Sequence, residues 1–286
     1  MSDAPPLRRP DSARPRGGSD DHGGAPPTAD EQARIERQLA LLPGLAGASD
    51  EHIPELGALV MRLPGRGPGY NFAACLRWAA DEVDQRIDAL RRWFAEAGEW
   101  PALVIGEGLT EPGDLAERLA GMGWVELERE RIYVTRGQPT VPHLAPSLRI
   151  EAVTAQSAAE CQAIEERVFG LAEQYADSRT EHLARAVESG ALRAYLVRLD
   201  GEAVASARLS ISDGIAAVSG VGVMPHRRNQ GLATLVTSVA TRAGLAMGSP
   251  LVWLSVDERN TPALKVYQRL GYRPSFRWSR WAATAR

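Results

Sequence analysis

Two Asp-Gly pairs, Asp200-Gly201 and Asp213-Gly214, separate three runs of strand-forming residues, 193–199, 202–211 and Ile215 to Val223. Asp-Gly suits a tight hairpin because both central residues of a type I′ turn need positive φ. The spacing predicts a three-strand antiparallel meander that ends at Pro225, which has no N–H to donate to a ladder. Beyond it, Leu232, Leu235, Val236, Val239 and Ala243 recur at the spacing of one buried helix face. A strand that passes through a turn into a helix leaves the first helical N–H groups without partners. Together with the helix dipole they form an anion site. Here Gly231 would let a phosphate approach the backbone, Ala233 keeps the first turn uncrowded, and Arg227 and Arg228 bring positive charge. No G-x-x-x-x-G-K-[ST] pattern occurs, so Walker-type nucleotide hydrolysis has no support.

The elements around this segment complete a mixed sheet. Leu148, Ile150 and Ala152 alternate as a strand, and helices are predicted from Ala158 to Phe169 and from Arg179 to Ser189. Residues 251–256 read as a buried strand, and a short helix from Thr261 to Leu270 stops at Gly271. Tyr272 to Ala282 supply one or two closing strands. The order β-α-α-β-β-β-α-β-α-β describes an α/β (α+β) domain over residues 147–286.

Two blocks in this region, Arg228-Asn229-Gln230-Gly231-Leu232-Ala233 after Val221-Gly222-Val223-Met224-Pro225, and Asn260 to Tyr272, carry a resemblance. In order and spacing they resemble the GNAT superfamily of N-acetyltransferases. That family has V-x-V-x-P, then R/Q-x-x-G-x-G/A, a helix, and later N-x-x-A-x-x-x-Y-x-x-L-G-F/Y. The resemblance implies a mixed, mostly antiparallel sheet flanked by helices, with acetyl-CoA as co-substrate and an amine of a small molecule or peptide as acceptor. It implies that backbone N–H groups of Arg228, Asn229, Gln230, Gly231, Leu232 and Ala233 hold the CoA pyrophosphate. Val221 and Val223 would pair with the pantetheine arm, Asn260 would bond the cofactor or a nearby water, and Tyr267 would protonate the leaving thiolate. Tyr267 also fits a plain packing role. The meander strand carries no carboxylate to serve as a base, which leaves Glu173, Asp177, Glu181, His182 and Glu258, each of which reads first as a solvated surface charge; a water chain to bulk would serve instead, and the base is unassigned.

Residues 1–30, rich in Pro, Gly, Ser and charge, predict a disordered tail. Three prolines and a glycine between Arg136 and Pro146 predict a linker over 137–146. Residues 31–136 echo the second half at an offset of about 150: Pro101 to Ile105 parallels Pro250 to Leu254, and Pro112 to Trp124 parallels Pro262 to Tyr272. We read them as a degenerate unit of the same kind, without the cofactor turn and with Leu119 where Tyr267 stands. Trp78, Trp93, Trp100 and Trp124 would either line a pocket or pack the core. Such a chain is similar to tandem bacterial acetyltransferases, of which mycothiol synthase is a fuller example. The alternatives are a non-catalytic acyl-CoA sensor or scaffold, and a tandem acetyltransferase like mycothiol synthase.

The net charge of −3 gives no attraction to nucleic acid or to an anionic membrane, and no run is long enough to span a bilayer. The start has no apolar stretch of a secretory signal. Cys75 and Cys161 make neither a disulfide framework nor a metal cluster, which suits two small buried side chains in a reducing cytoplasm.

Overall fold

The computed structural model describes residues 24–40, 49–63, 67–142, 146–171 and 173–283. They form one sheet of eleven strands with helices on both faces. The amino-terminal unit contributes α1 (Ala29–Leu39), β1 (Ser49–Ile53), β2 (Ala58–Arg62), β3 (Phe72–Ala74), α2 (Val83–Ala95), β4 (Ala102–Gly106), α3 (Leu115–Gly121) and β5 (Trp124–Thr135). The second unit contributes β6 (Leu148–Ala152), α4 (Ala158–Phe169), α5 (Ala176–Glu188), β7 (Arg193–Leu199), β8 (Glu202–Ser212), β9 (Ile215–Val223), α6 (Leu232–Ala246), β10 (Val252–Val256), α7 (Thr261–Arg269) and β11 (Arg273–Ala283). The predicted meander is β7-β8-β9, with its two Asp-Gly turns in place. Helix α5 begins three residues earlier than predicted, because a single 3-10 turn over Glu173–Tyr175 leads straight into it.

The strand order is β1-β2-β3-β4-β11-β5-β10-β9-β8-β7-β6. The closing strands of the two units are therefore exchanged. β11 lies between β4 and β5, and β5 lies between β11 and β10. In element order, β4, α3 and β5 follow one another as β10, α7 and β11 do. Both units also hold a short parallel pairing at the same place, Phe72–Ala102 with Ala73–Leu103, and Ala216–Val252 with Ala217–Trp253. The remaining pairs are antiparallel.

One core packs α6 and α7 against the second unit, and another packs α2 against the first, with Leu119 of α3 fully buried in it. A third lies beneath α1 and mixes both units: Ile35, Val104, Ile132 and Val134 meet Trp253, Phe276 and Trp278. The two units are consequently not bodies on a string. Residues 1–23 of the predicted tail and 143–145 of the predicted linker lie outside the described residues. The rest of the predicted tail is built into the fold. Thr28 and Glu31 form a reciprocal capping box on α1, and Arg136 binds Glu31 at 2.6 Å and the carbonyl of Ala25 at 3.0 Å. Farther along α1, Gln38 accepts from the indole of Trp253 at 2.7 Å. The four tryptophans of the first unit do not share a pocket: Trp78 and Trp124 are buried in its core, Trp93 lies under Arg62, and Trp100 is exposed. Cys161 is buried, Cys75 is half-buried, and both are free thiols.

Helix α6 approaches the sheet closely at Gly244, where an added Cβ would lie 2.9 Å from the Cβ of Ala216 and 3.2 Å from Leu209 and Val252. Gly244→Val should therefore force α6 off β9. Overpacking of this kind costs about 1–3 kcal/mol, to be read as a lower midpoint in urea with an unchanged m-value.

Candidate active site

The chain leaves β9 through a single turn, Pro225–Arg227, and Arg228 is extended. Asn229 and Gly231 then adopt positive φ, 62° and 77°, before α6 begins. Gly231 is the N-cap of α6 and no side chain caps this end. A run of backbone N–H groups beside left-handed residues makes a concave anion site, and an uncapped helix terminus adds its dipole. The two arginines part company. Arg227 binds Glu202 at 2.7 Å, and His226 reaches the same carboxylate at 2.9 Å. Arg228 is exposed and carries no ion pair among the described residues.

The β9–β10 ladder ends at Ala217–Trp253, although β9 runs on to Val223 and β10 to Val256. Among the described residues no strand pairs with the β10-facing edge of β9 beyond that point. Gly220, at φ 59°, lies at a shift in the β8–β9 register and bends β9 there. A cleft between two diverging parallel strands results. Val221 and Val223, both half-buried, lie on the strand that borders it, and the cleft leads toward the uncapped end of α6.

Tyr267 sits on α7 in the core with Leu232, Val256 and Tyr272, 7% exposed. Burial, reinforced by the charge of Glu130, pushes its phenol up to about 12. Tyr272 differs, since its hydroxyl meets that of Thr241 at 2.7 Å; the Tyr267 hydroxyl has no hydrogen-bond partner among the described residues. Asn260 is the N-cap of α7, where its Oδ1 accepts from Ala263 N–H at 3.3 Å. That is a capping role the sequence analysis did not give it. Its side-chain NH2 has no partner among the described residues.

The family model described as the acetyltransferase (GNAT) family matches residues 159–272, a span that includes the cleft, the turn and Tyr267. The chain carries a GNAT acetyltransferase domain. Solved structures share the whole architecture. A GCN5-related N-acetyltransferase from Kribbella flavida aligns with a TM-score of 0.69 at 24% identity, covering 89% of this chain and 96% of that one. A tandem GNAT protein from the clavulanic acid biosynthesis pathway aligns at 0.61 and 17% identity, covering 91% and 89%. A GCN5-related N-acetyltransferase from Sphaerobacter thermophilus gives 0.57 and 14%, covering 90% and 93%. At these identities the likeness is one of fold. Among curated proteins no sequence matches this chain.

None of the expected base candidates is buried. Glu173, Asp177 and Glu181 are exposed on and before α5, and His182 is half-buried on α5. Glu258 binds Arg131 and Arg277, each at 2.8 Å, and the guanidinium of Arg277 holds its carboxyl below the usual range. Two carboxylates missed by the sequence analysis are more withdrawn. Glu165 of α4 lies over the β9 bend, where a Cβ added to Gly220 would be 2.8 Å from its Oε1, and it pairs with Arg208 at 2.5 Å. Glu130 comes from β5, across the unit boundary, and accepts from the hydroxyl of Ser255.

The amino-terminal unit has no open counterpart of the cleft. After β4 its chain turns back and fills the corresponding space. Glu111 N–H donates to Leu76 at 3.1 Å, and Trp78 N–H donates to Glu111 at 3.1 Å. A ligand that added itself as a strand there would have to displace this segment. Among the described residues no group of His, Cys, Asp and Glu is arranged to hold a metal ion, and no helix is long and apolar enough to cross a membrane.

Proposed function

We propose that the chain transfers the acetyl group of acetyl-CoA to the amine of a small molecule or peptide, by direct attack within a ternary complex. The observation that carries this is the contrast between the two units: the β9–β10 ladder stops after two pairs and β9 leads on to an uncapped helix N-terminus, whereas the same edge of the first unit is paired by the chain itself. Backbone N–H groups of Arg228 to Ala233 hold the pyrophosphate, with Arg228 as the available cation. Val221 and Val223 offer main-chain groups to the amide-bearing pantetheine arm, as an edge strand does to a peptide. Asn260 turns its NH2 toward the cofactor while its oxygen caps α7. Tyr267, protonated at neutral pH, gives its proton to the departing sulfur.

Thermal unfolding of the complete chain with acetyl-CoA, free CoA and ATP tests the cofactor site. A ligand bound only by the native state at a hundred times its Kd stabilises by about 2.7 kcal/mol. The midpoint should rise by several degrees with acetyl-CoA and with CoA, and not with ATP. A panel of primary amines, followed by release of free thiol, then tests transfer. No shift at ~1 mM acetyl-CoA would make the turn a relic and end the proposal.

A further inference from the structure

The exchange of closing strands brings residues of the cofactor-free unit to the cleft of the other. Strand β5 pairs with β10 from Thr135–Val252 to Arg131–Val256, so its next residue, Glu130, lies at the cleft end of β10. There its Oε2 accepts from Ser255, two residues past the last β9–β10 pair, and Ser255 accepts in turn from the indole N–H of Trp278 at 2.7 Å. On the other side β11 places Trp278 directly opposite Glu130. The carboxylate is also near enough to Tyr267 to disfavour its phenolate. Glu165, the other withdrawn carboxylate, is neutralised by Arg208 at 2.5 Å. Glu130 makes no ion pair among the described residues.

We propose, on the acetyltransferase function given above, that Glu130 is the base that takes the proton from the acceptor ammonium in the cleft of the other unit. One proton passes from the R–NH3+ group to the Glu130 carboxylate, and the freed lone pair attacks the thioester carbonyl carbon. When the C–S bond breaks, its electron pair stays on sulfur, which takes the proton of Tyr267. The nitrogen, cationic after attack, loses its surplus proton and Tyr267 regains one. Glu130 then releases its proton to solvent, so the net products are the amide, free CoA thiol and one proton. Burial raises the carboxyl of Glu130 above its ordinary value, and the charges of Glu128 and Asp257 add to this, while Ser255 and Arg280 oppose it. A base so placed is more effective at pH 7 than an exposed carboxylate. The amino-terminal unit, though unable to bind cofactor in its own filled cleft, thereby completes the site of its neighbour.

The test is Glu130→Gln in the complete chain, with two acceptors: the best alkylamine of the panel, and hydrazine, which is largely uncharged at mildly alkaline pH. Losing a general base costs ~10²–10⁴-fold. That loss should appear with the alkylamine near neutral pH, shrink as the pH approaches the amine's own pKa, and be small with hydrazine. The acetyl-CoA thermal shift should persist. Equal loss with both acceptors at every pH, or no loss, would overturn the proposal. Ser255→Ala is a second probe should E130Q fold badly. Without the hydroxyl that favours the carboxylate, the acidic limb of the rate profile should move to higher pH, and an unmoved limb counts against Glu130. Failure of the acetyltransferase function itself would show separately, as a wild-type chain that neither shifts with acetyl-CoA nor releases thiol.

Discussion

Tyr267→Phe should lower turnover by ~10²–10⁴-fold, the usual worth of a general acid, while the acetyl-CoA thermal shift stays where it was. The ring of Tyr267 packs among Leu232, Val256 and Tyr272, and Phe preserves that packing. Its hydroxyl has no partner among the described residues, so removing it strands no buried group. A phenol pushed up to about 12 looks a poor donor for a thiolate whose ordinary value is ~8.5. The same protein shows why the mismatch closes on burial: the thiols of Cys75 and Cys161 are themselves pushed up to about 12, chiefly by desolvation. A departing CoA sulfur desolvated to the same degree would have its proton affinity raised in the same direction. It follows that ionisation of Tyr267 puts no falling limb in the rate between pH 7 and ~10. Kinetics of wild type and Y267F over that range, together with the thermal shift, decide the matter. Unchanged turnover would leave Tyr267 a packing residue. Binding without transfer in both proteins would favour the sensor or scaffold.

What could be read in the sequence depended on how local its cause was. The meander follows from Asp200-Gly201 and Asp213-Gly214, since a turn needing positive φ is specified by the residues that occupy it. The turn at Asn229 and Gly231 is local for the same reason. Asn260 before Thr261-Pro262 is a helix N-cap signal, and its capping bond to Ala263 was legible but passed over in favour of the cofactor. The exchange of β5 and β11 was not legible. Each strand has the same alternating pattern whichever neighbour it takes, and the choice is made by register and packing between distant residues. Glu130 was hidden for that reason: beside Glu126 and Glu128 it reads as part of a solvated face, while the hydroxyl it meets is 125 residues away. Arg227 and Arg228 looked equivalent as neighbours, and Glu202, across the turn, distinguished them.

The strand exchange predicts that neither unit folds alone. Residues 147–286, expressed without the rest, would leave β10 without its β5 neighbour and β11 without either of its own, β4 and β5. Phe276, Trp278 and Trp281 would lose the partners that bury them, and in the other fragment so would Ile132 and Val134. Burying one such side chain stabilises by about 1.5–3 kcal/mol, so losing the three in residues 147–286 amounts to roughly 4.5–9 kcal/mol. The whole net stability of a domain is about 5–15 kcal/mol. Unpaired β4, β10 and β11 edges would also invite aggregation. Fragments 1–146 and 147–286 should each be insoluble or molten, and should yield a soluble heterodimer that binds acetyl-CoA when co-expressed. Circular dichroism, size exclusion and the thermal shift would follow this. A 147–286 fragment that folds cooperatively by itself would mean that β11 can return to its own unit and take the place of β5 beside β10. The amino-terminal unit would then be an appendage, and Glu130 could not be needed for whatever transfer that fragment performed.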